Sequence, residues 1–526
     1  MEPRTGIAAP GARGPSIVLS AGRCAVQMVA VLLALGCTGA GAQTPDATAW
    51  RAQLHSANAM ERAQAALSVA QAQDQASVAT VRALLAADQP PNVRAAAALA
   101  LGSLRDTRST AAIAGLLQGN SGVGPDIVLD ALVRMGDPQG AAVAVPLLDA
   151  TDDVLRLQAV DALVQLQAQA LGAQILQRAQ ANRDPAKAKT YAMVLGKLQV
   201  RSAQDYLLQL ARHSEPSPTR WASYLALGRI RSEAAVGVLV DALGAPYEKG
   251  RENAQQALVD IASPRAAPRL WPLLAHAERS VRFAAAEVLV GLDHPGTNAA
   301  LLRALDQPDA QAAAALALGR RKVAEAREPI QNALARPDKA EREVLAQALG
   351  WLGDKRAIAL LRQVLVEPAG EGRYGAAWSL GVLQAREARE ELQRAAAGRD
   401  NRLALLALDA LGMLADPAAA DFLARQVQAN PVQALGALTA LAQVPGEGAR
   451  QQLESLVRHK DDRVARAALQ GLAQRKDAAS VPTLLDALEQ VSQDNRKAVH
   501  YALTNITGQR WSTPTQWRQW YASAPR

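Results

Sequence analysis

Between Ala70 and Thr504 one pattern returns fifteen times, at a spacing of 29 to 32 residues. Its clearest copies are Leu101-Gly102-Ser103-Leu104, Leu195-Gly196-Lys197-Leu198, Leu349-Gly350-Trp351-Leu352 and Leu380-Gly381-Val382-Leu383. With the Gly of each copy, or its equivalent, as an anchor, the series runs 70, 102, 133, 164, 196, 228, 259, 290, 319, 350, 381, 412, 442, 473, 504. A period of about 20–50 residues held this long marks stacked supersecondary units, because a single unit cannot bury its apolar face alone. The expected fold class is all-α, a right-handed α-solenoid of about fifteen helical hairpins. Such folds usually act through a long surface and not through a catalytic pocket.

Each copy reads as two helices. The second starts at a residue whose side-chain oxygen can cap free N–H groups, such as Asn92, Asp153, Asp184, Ser217, Asp309 or Asp494, and runs to the anchor. Its apolar positions recur at helical spacing, as in Val93, Ala97, Leu101 and Leu104, or Val281, Ala285, Leu289 and Leu292. The first helix is shorter and often opens with proline, as at Pro146 and Pro482, where the missing N–H costs nothing. Alternating strand patterns are absent, and abundant alanine lets helices approach closely.

Nine copies carry arginine eight residues before the anchor: Arg62, Arg94, Arg156, Arg220, Arg251, Arg282, Arg342, Arg373 and Arg496. Segments such as Asn92-Val93-Arg94-Ala95-Ala96-Ala97-Ala98-Leu99-Ala100-Leu101-Gly102 resemble HEAT repeats, in particular the short HEAT-like repeat of phycobilisome lyases. The resemblance spans residues 59–506 and implies a repeat solenoid. It implies no single activity, because the family holds scaffolds, lyases, a metal hydroxylase and DNA-repair enzymes. The arginines are expected to form a structural ladder, pairing with carboxylates and carbonyls at the turns of neighbouring repeats. The second reading of the row is a basic stripe for a polyanion.

Residues 1–42 are of another kind. Arg4, Arg13 and Arg23 make a basic leader, Cys24 to Gly36 is an apolar run, and Ala40-Gly41-Ala42 before Gln43 has the form of a signal-peptidase site. The expectation is a signal peptide over 1–42 and export to the periplasm or cell envelope. The apolar run falls short of the ~20 residues that span a bilayer, so no integral span is expected after processing. Ala34-Leu35-Gly36-Cys37 faintly resembles a lipoprotein box, which leaves lipidation of Cys37 as the alternative. Cys24 and Cys37 are the only cysteines. A chain beginning at Gln43 would have no disulfide, thiolate nucleophile or cysteine metal ligand.

The precursor carries a net charge of +8, and +6 remains from residue 43 onward. Spread over a long chain without a basic block, that charge does not point to nucleic acid. The six histidines, His55, His213, His276, His294, His459 and His500, fall in separate repeats. The His-Glu pairs of the metal-binding HEAT hydroxylases are missing, as are a nucleophile elbow and a phosphate-binding glycine loop. The expectation is no catalytic site, no metal and no cofactor.

The chain has 8 Trp, 7 Tyr and 2 Phe. On the second helix, positions nine, five and one before the anchor and two after it should face the core. Positions seven, four and three before it, and one after, should face outward on the concave side. Those outward positions hold Trp221, Tyr224, Phe283, Trp351, Tyr374 and Trp378, with Tyr501 near the end. Rings on an open surface suit a binding site, and the other reading is packing between alanine-rich helices.

The C-terminus breaks the repeat. Gly508 should stop the last long helix, and Thr507-Gly508-Gln509 followed by Trp517-Arg518-Gln519-Trp520 resembles a terminal motif of bacterial HEAT-repeat proteins. Trp511, Trp517 and Trp520 are expected to cap the open end. The expected organisation is a signal peptide (1–42), an N-terminal capping segment (43–58) with Trp50, the solenoid (59–506) and a C-terminal Trp-rich capping helix (507–526). The function expected is an exported, non-enzymatic scaffold that binds another protein. The alternatives are a polysaccharide- or peptide-binding envelope protein and a lyase-like enzyme.

Overall fold

The run Pro218–Arg229 shows why the long segments are helical. Ser217 is extended (φ −158°, ψ 163°) and its hydroxyl accepts from the Arg220 N–H, while Pro218 occupies the first turn. Ala222, Ala226, Leu227 and Gly228 form a buried stripe. The helix ends where Arg231 turns left-handed at φ 55°. A computed structural model describes residues 47–118, 121–213, 217–336 and 341–523. All regular structure among these residues is helical, and the chain is an all-α solenoid. The signal peptide over 1–42, its cleavage after Ala42, and Cys24 and Cys37 lie outside the described residues.

All fifteen anchors lie in long helices of 10 to 15 residues, from Ala59–Gln71 to Gln493–Thr507, each paired with a shorter helical stretch. Helix starts depart from expectation by one or two residues in several repeats. Asp184 and Ser217 are caps, but Asp152 replaces Asp153 and Ser492 replaces Asp494. The helix of anchor 102 starts at Pro91, after Pro90, and that of anchor 319 starts at Gln311, after Ala310. A capping residue needs non-helical backbone, and Asp153 is already in the first turn, where it pairs with Arg156.

The helix ends also follow a rule. In ten repeats the residue three past the anchor is a non-glycine in the left-handed region, at φ 48° to 56°, and Gly136 and Gly353 hold the same place. For an L-residue this conformation costs about 1–2 kcal/mol. Capping bonds offset the cost, as where the Ser232 N–H donates to the Leu227 carbonyl at 3.0 Å. The repeats of anchors 290 and 442 lack this turn. There an arginine from the following repeat serves the open carbonyls. Arg321 donates to Leu289, Val290 and Leu292, and Arg475 to Val444 and Gly446.

The chain forms two compact units, residues 1–144 and 145–526. In the first, the helix Ala47–Gln53 buries Trp50, whose indole N–H donates to Asp74 at 3.2 Å. Arg51 pairs with the same carboxylate at 2.8 Å and holds it well below the usual carboxylate range. Gly102 packs on the next long helix so closely that a Cβ there would lie 2.4 Å from the Ala131 carbonyl oxygen.

The second unit repeats that contact wherever its anchor is glycine. A Cβ on Gly196, Gly228, Gly381 or Gly412 would lie 2.6 to 2.9 Å from the Cα of Ala226, Ala257, Ala410 or Ala440. In each case the partner stands two residues before the next anchor. The anchor glycine is therefore where successive long helices touch, and alanine opposite it keeps that contact short. At the far end, Gly508 (φ 73°) closes the last long helix. The helix Pro514–Ser523 then packs on Val481–Gln490. Trp517 is fully buried there, its indole N–H donating to His500 Nδ1 at 3.0 Å, and Trp520 meets it edge-on at 5.9 Å. Trp511, read as part of the cap, is instead 38% exposed, because it sits in the turn before the capping helix.

Candidate binding surface

The Arg ladder positions the loops at which the long helices begin. Arg62 donates to the Ser56 carbonyl at 2.7 Å, Arg156 to Ala150 at 2.7 Å, Arg251 to Ala245 at 3.1 Å, Arg282 to His276 at 3.0 Å and Arg342 to Leu334 at 2.9 Å. Arg94 reaches Ser121 at 2.5 Å, Arg220 reaches Ala211 at 2.9 Å and Arg373 reaches Gly370 at 3.3 Å. Several also reach an acid of a later repeat: Arg251 to Glu278, Arg282 to Glu341, Arg342 to Glu367 and Arg373 to Asp400. A guanidinium can do this because its planar fork serves a carbonyl and a carboxylate at once. Arg496 stands apart, exposed and without such a bond among the described residues.

The aromatic residues do not share one bare strip. Tyr224 is 3% exposed and lies inside the stack, which corrects its outward assignment. Position four before the anchor is interior in most repeats, as Ala192, Ala286, Ala315, Ala346 and Ala377 show at 0%, and half-buried at Gln255 and His500. The helix Pro218–Arg229 packs against the long helices Pro185–Lys197 and Glu248–Ile261 on either side and against the short helix Gln204–His213, so the buried sector is wider than one stripe predicts. Trp221, Phe283, Trp351, Tyr374 and Trp378 are half-buried. Arg279 lies over Phe283 at 4.4 Å and bonds Glu341 at 2.6 Å. Arg402 lies over Tyr374 at 4.2 Å and bonds Glu343 at 2.6 Å, while the Tyr374 hydroxyl donates to Asp400 at 3.0 Å. Trp351 and Trp378 meet edge-on, with centroids 5.4 Å apart. Trp221 lies against Gly250, where a Cβ would be 3.0 Å from its indole nitrogen.

Beyond Trp378 the same helical positions turn aliphatic and open. Val382 is 40%, Leu405 44% and Leu435 48% exposed. Leu405 and Leu435 stand seven before their anchors, in register with Trp221, Phe283 and Tyr374. Restricting the outward positions to aromatic residues missed them, although the repeat register marks them. Tyr501 is 59% exposed near the end of the same face.

Three histidines and a buried tyrosine are engaged in local structure. His276, His294 and His459 each accept, through Nδ1, a backbone N–H two residues on. Tyr191 is fully buried and donates to Asp149 at 2.7 Å; burial, then that carboxylate, push its phenol up to about 12. Asp149 also accepts from Arg178 and Asn182, so this acid is fully used by the core. No group of three metal-ligating side chains assembles among the described residues. Among the same residues no helix is long and apolar enough to cross a membrane.

A family model described as HEAT repeats matches residues 47–123, 172–259, 298–380 and 427–504. Comparison with curated proteins gave no match. The fold is similar to that of yeast importin-β (Kap95p), with a TM-score of 0.55 at 13% identity over 88% of this chain and 73% of the other. A structure of importin-β from an ammonium sulfate condition matches at 14% identity and a TM-score of 0.44, over 88% of this chain and 67% of that one. The CpcE–CpcF complex of phycocyanin lyase from Nostoc sp. PCC7120 matches at 25% identity and a TM-score of 0.27, over 48% of this chain and 92% of that one. With the repeat model matching more than half of its length and the hairpin register running from anchor 70 to anchor 504, the chain belongs to the HEAT-repeat family.

Proposed function

We propose that the protein is an exported, non-enzymatic scaffold that binds another protein through the long-helix face of residues 351–435. The observation that carries this reading is a row of apolar side chains at outward positions of consecutive long helices. Trp351, Trp378, Val382, Leu405 and Leu435 are all open to solvent in part. Leucine and valine at such exposure leave much of their apolar surface to solvent, and contiguous exposed apolar surface marks interaction sites. The rings supply rigid anchors beside them.

Leu405→Ser tests the face without disturbing the fold, since exposed substitutions usually change stability by no more than about 0.5 kcal/mol. The expected result is a melting temperature within a degree or two of the native chain. Affinity for the partner captured by the native protein should fall about 30-fold or more, as for a hot-spot contact of about 2 kcal/mol. Undiminished capture by this variant and by Trp378→Ala would remove the face from consideration.

Export is part of the same proposal, and its support is the basic, apolar, small-residue order that ends at Ala42. Intact-mass measurement of protein recovered from its native host should give a chain beginning at Gln43. A full-length cytoplasmic chain would overturn export, and a lipidated Cys37 terminus would replace the soluble form by an anchored one.

A further inference from the structure

Four long helices carry an acid three residues before the anchor: Asp130, Asp161, Glu287 and Asp409. Three of these acids are answered by a cation one residue past an anchor, on their own helix or on the next. Arg134 donates to Asp130 at 2.9 Å, Lys197 to Asp161 at 2.9 Å, and Arg320 to Glu287. For Asp409 the two corresponding positions hold Met413 and Gln443. Among the described residues Asp409 has no hydrogen bond and no ion pair.

The surroundings sharpen the contrast. The helix Asn401–Met413 packs between Gly372–Val382 and Ala434–Gln443. The only other charges on these three helices are Arg373 and Arg402, both at helix starts. Asp400 holds the first at 3.2 Å and Glu343 the second at 2.6 Å. Around Asp409 the repeat register places Trp378 and Val382 on the preceding helix, Leu405 and Met413 on its own, and Leu435 and Thr439 on the following one. One carboxylate therefore stands in a neutral, mostly apolar field. It is open to solvent, yet the protein around it removes enough water to raise the carboxyl above its ordinary value. Aspartate is also a weak helix former at an interior position.

A wholly apolar partner closing over this face would strip the remaining water from the carboxylate without return. A cation on the partner would instead form a charge-assisted bond where little water competes. We propose that the face binds a protein segment that sets an arginine or lysine, flanked by apolar side chains, on Asp409. The proposal rests on the reading of residues 351–435 as a binding surface, and it names the chemistry of the partner.

Panning a displayed library of random dodecapeptides on the full chain tests it. Clones that bind the native chain and fail to bind Leu405→Ser occupy the face. These clones are expected to carry arginine or lysine between apolar residues. The tightest of them, synthesised as a free peptide, should bind Asp409→Asn about ten-fold or more weakly, for the loss of a charge-assisted contact, and Asp409→Glu within about three-fold of the native chain. Asp409→Asn should melt no lower than the native chain, since it forfeits no bond within the protein. Panning on Asp409→Lys should return acidic clones in place of basic ones. Leu405-dependent clones without a cation, or a basic peptide held equally by the native chain and Asp409→Asn, would overturn the inference and leave the face standing. Absence of any Leu405-dependent clone would instead remove the face, and the inference with it.

Discussion

Gly228→Ala is expected to destabilise this protein, although glycine-to-alanine in an open helix interior gains about 1 kcal/mol. The new methyl would stand 2.7 Å from the Ala257 Cα and 3.0 Å from its Cβ. Backbone cannot rotate away as a side chain can, so the two long helices must separate. Overpacking of this kind costs typically 1–3 kcal/mol, and Gly228→Val should exceed that range. Gly448, with nothing near its Cβ position, is the control, and Gly448→Ala should be neutral or stabilising. Because each repeat touches its neighbours, the loss should appear first as faster hydrogen exchange in the helices Pro218–Arg229 and Glu248–Ile261. A stability gain in Gly228→Ala would show that the anchor glycine is not a contact point.

Trp517→Ala should have the second large effect, and a local one. Among the described residues Trp517 is the largest fully buried side chain, and loss of a buried aromatic side chain costs about 3–5 kcal/mol. Exchange should rise in the helices Val481–Gln490 and Gln493–Thr507 and remain unchanged several repeats away. The same end should respond to pH. Burial lowers the pKa of His500, and a hydrogen bond involving Trp511 opposes that shift. Folding therefore favours neutral His500, whose Nδ1 accepts the Trp517 N–H. This contribution is complete above the usual histidine pKa of about 6.5 and is lost as pH falls through it toward the lower folded value. Protection of the last two long-helix turns should fall between pH 7 and pH 5 in the native chain, and His500→Gln should abolish that dependence. A native profile as flat as that of the variant would show that His500 does not gate the end.

The repeat, its register and the sites of the fifteen long helices were all legible in the amino-acid order. A solenoid is built from short-range units, so Leu349-Gly350-Trp351-Leu352 carries the same local information as Leu101-Gly102-Ser103-Leu104. The ladder was legible for the same reason, since Arg251 and Arg373 recur at one place relative to the anchor. Leu405 and Leu435 could have been found by the same register, had outward positions been read for aliphatic as well as aromatic residues.

Tertiary structure alone decided where Tyr224 points, because the width of the buried sector depends on the long helices packed on both sides of its helix. It also decided the fate of the rings. Phe283 and Tyr374 lie beneath Arg279 and Arg402, and those arginines are held by Glu341 and Glu343, some sixty residues away along the chain. Local sequence cannot encode a partner at that distance, because the number of intervening repeats and the rotation of each enter the geometry.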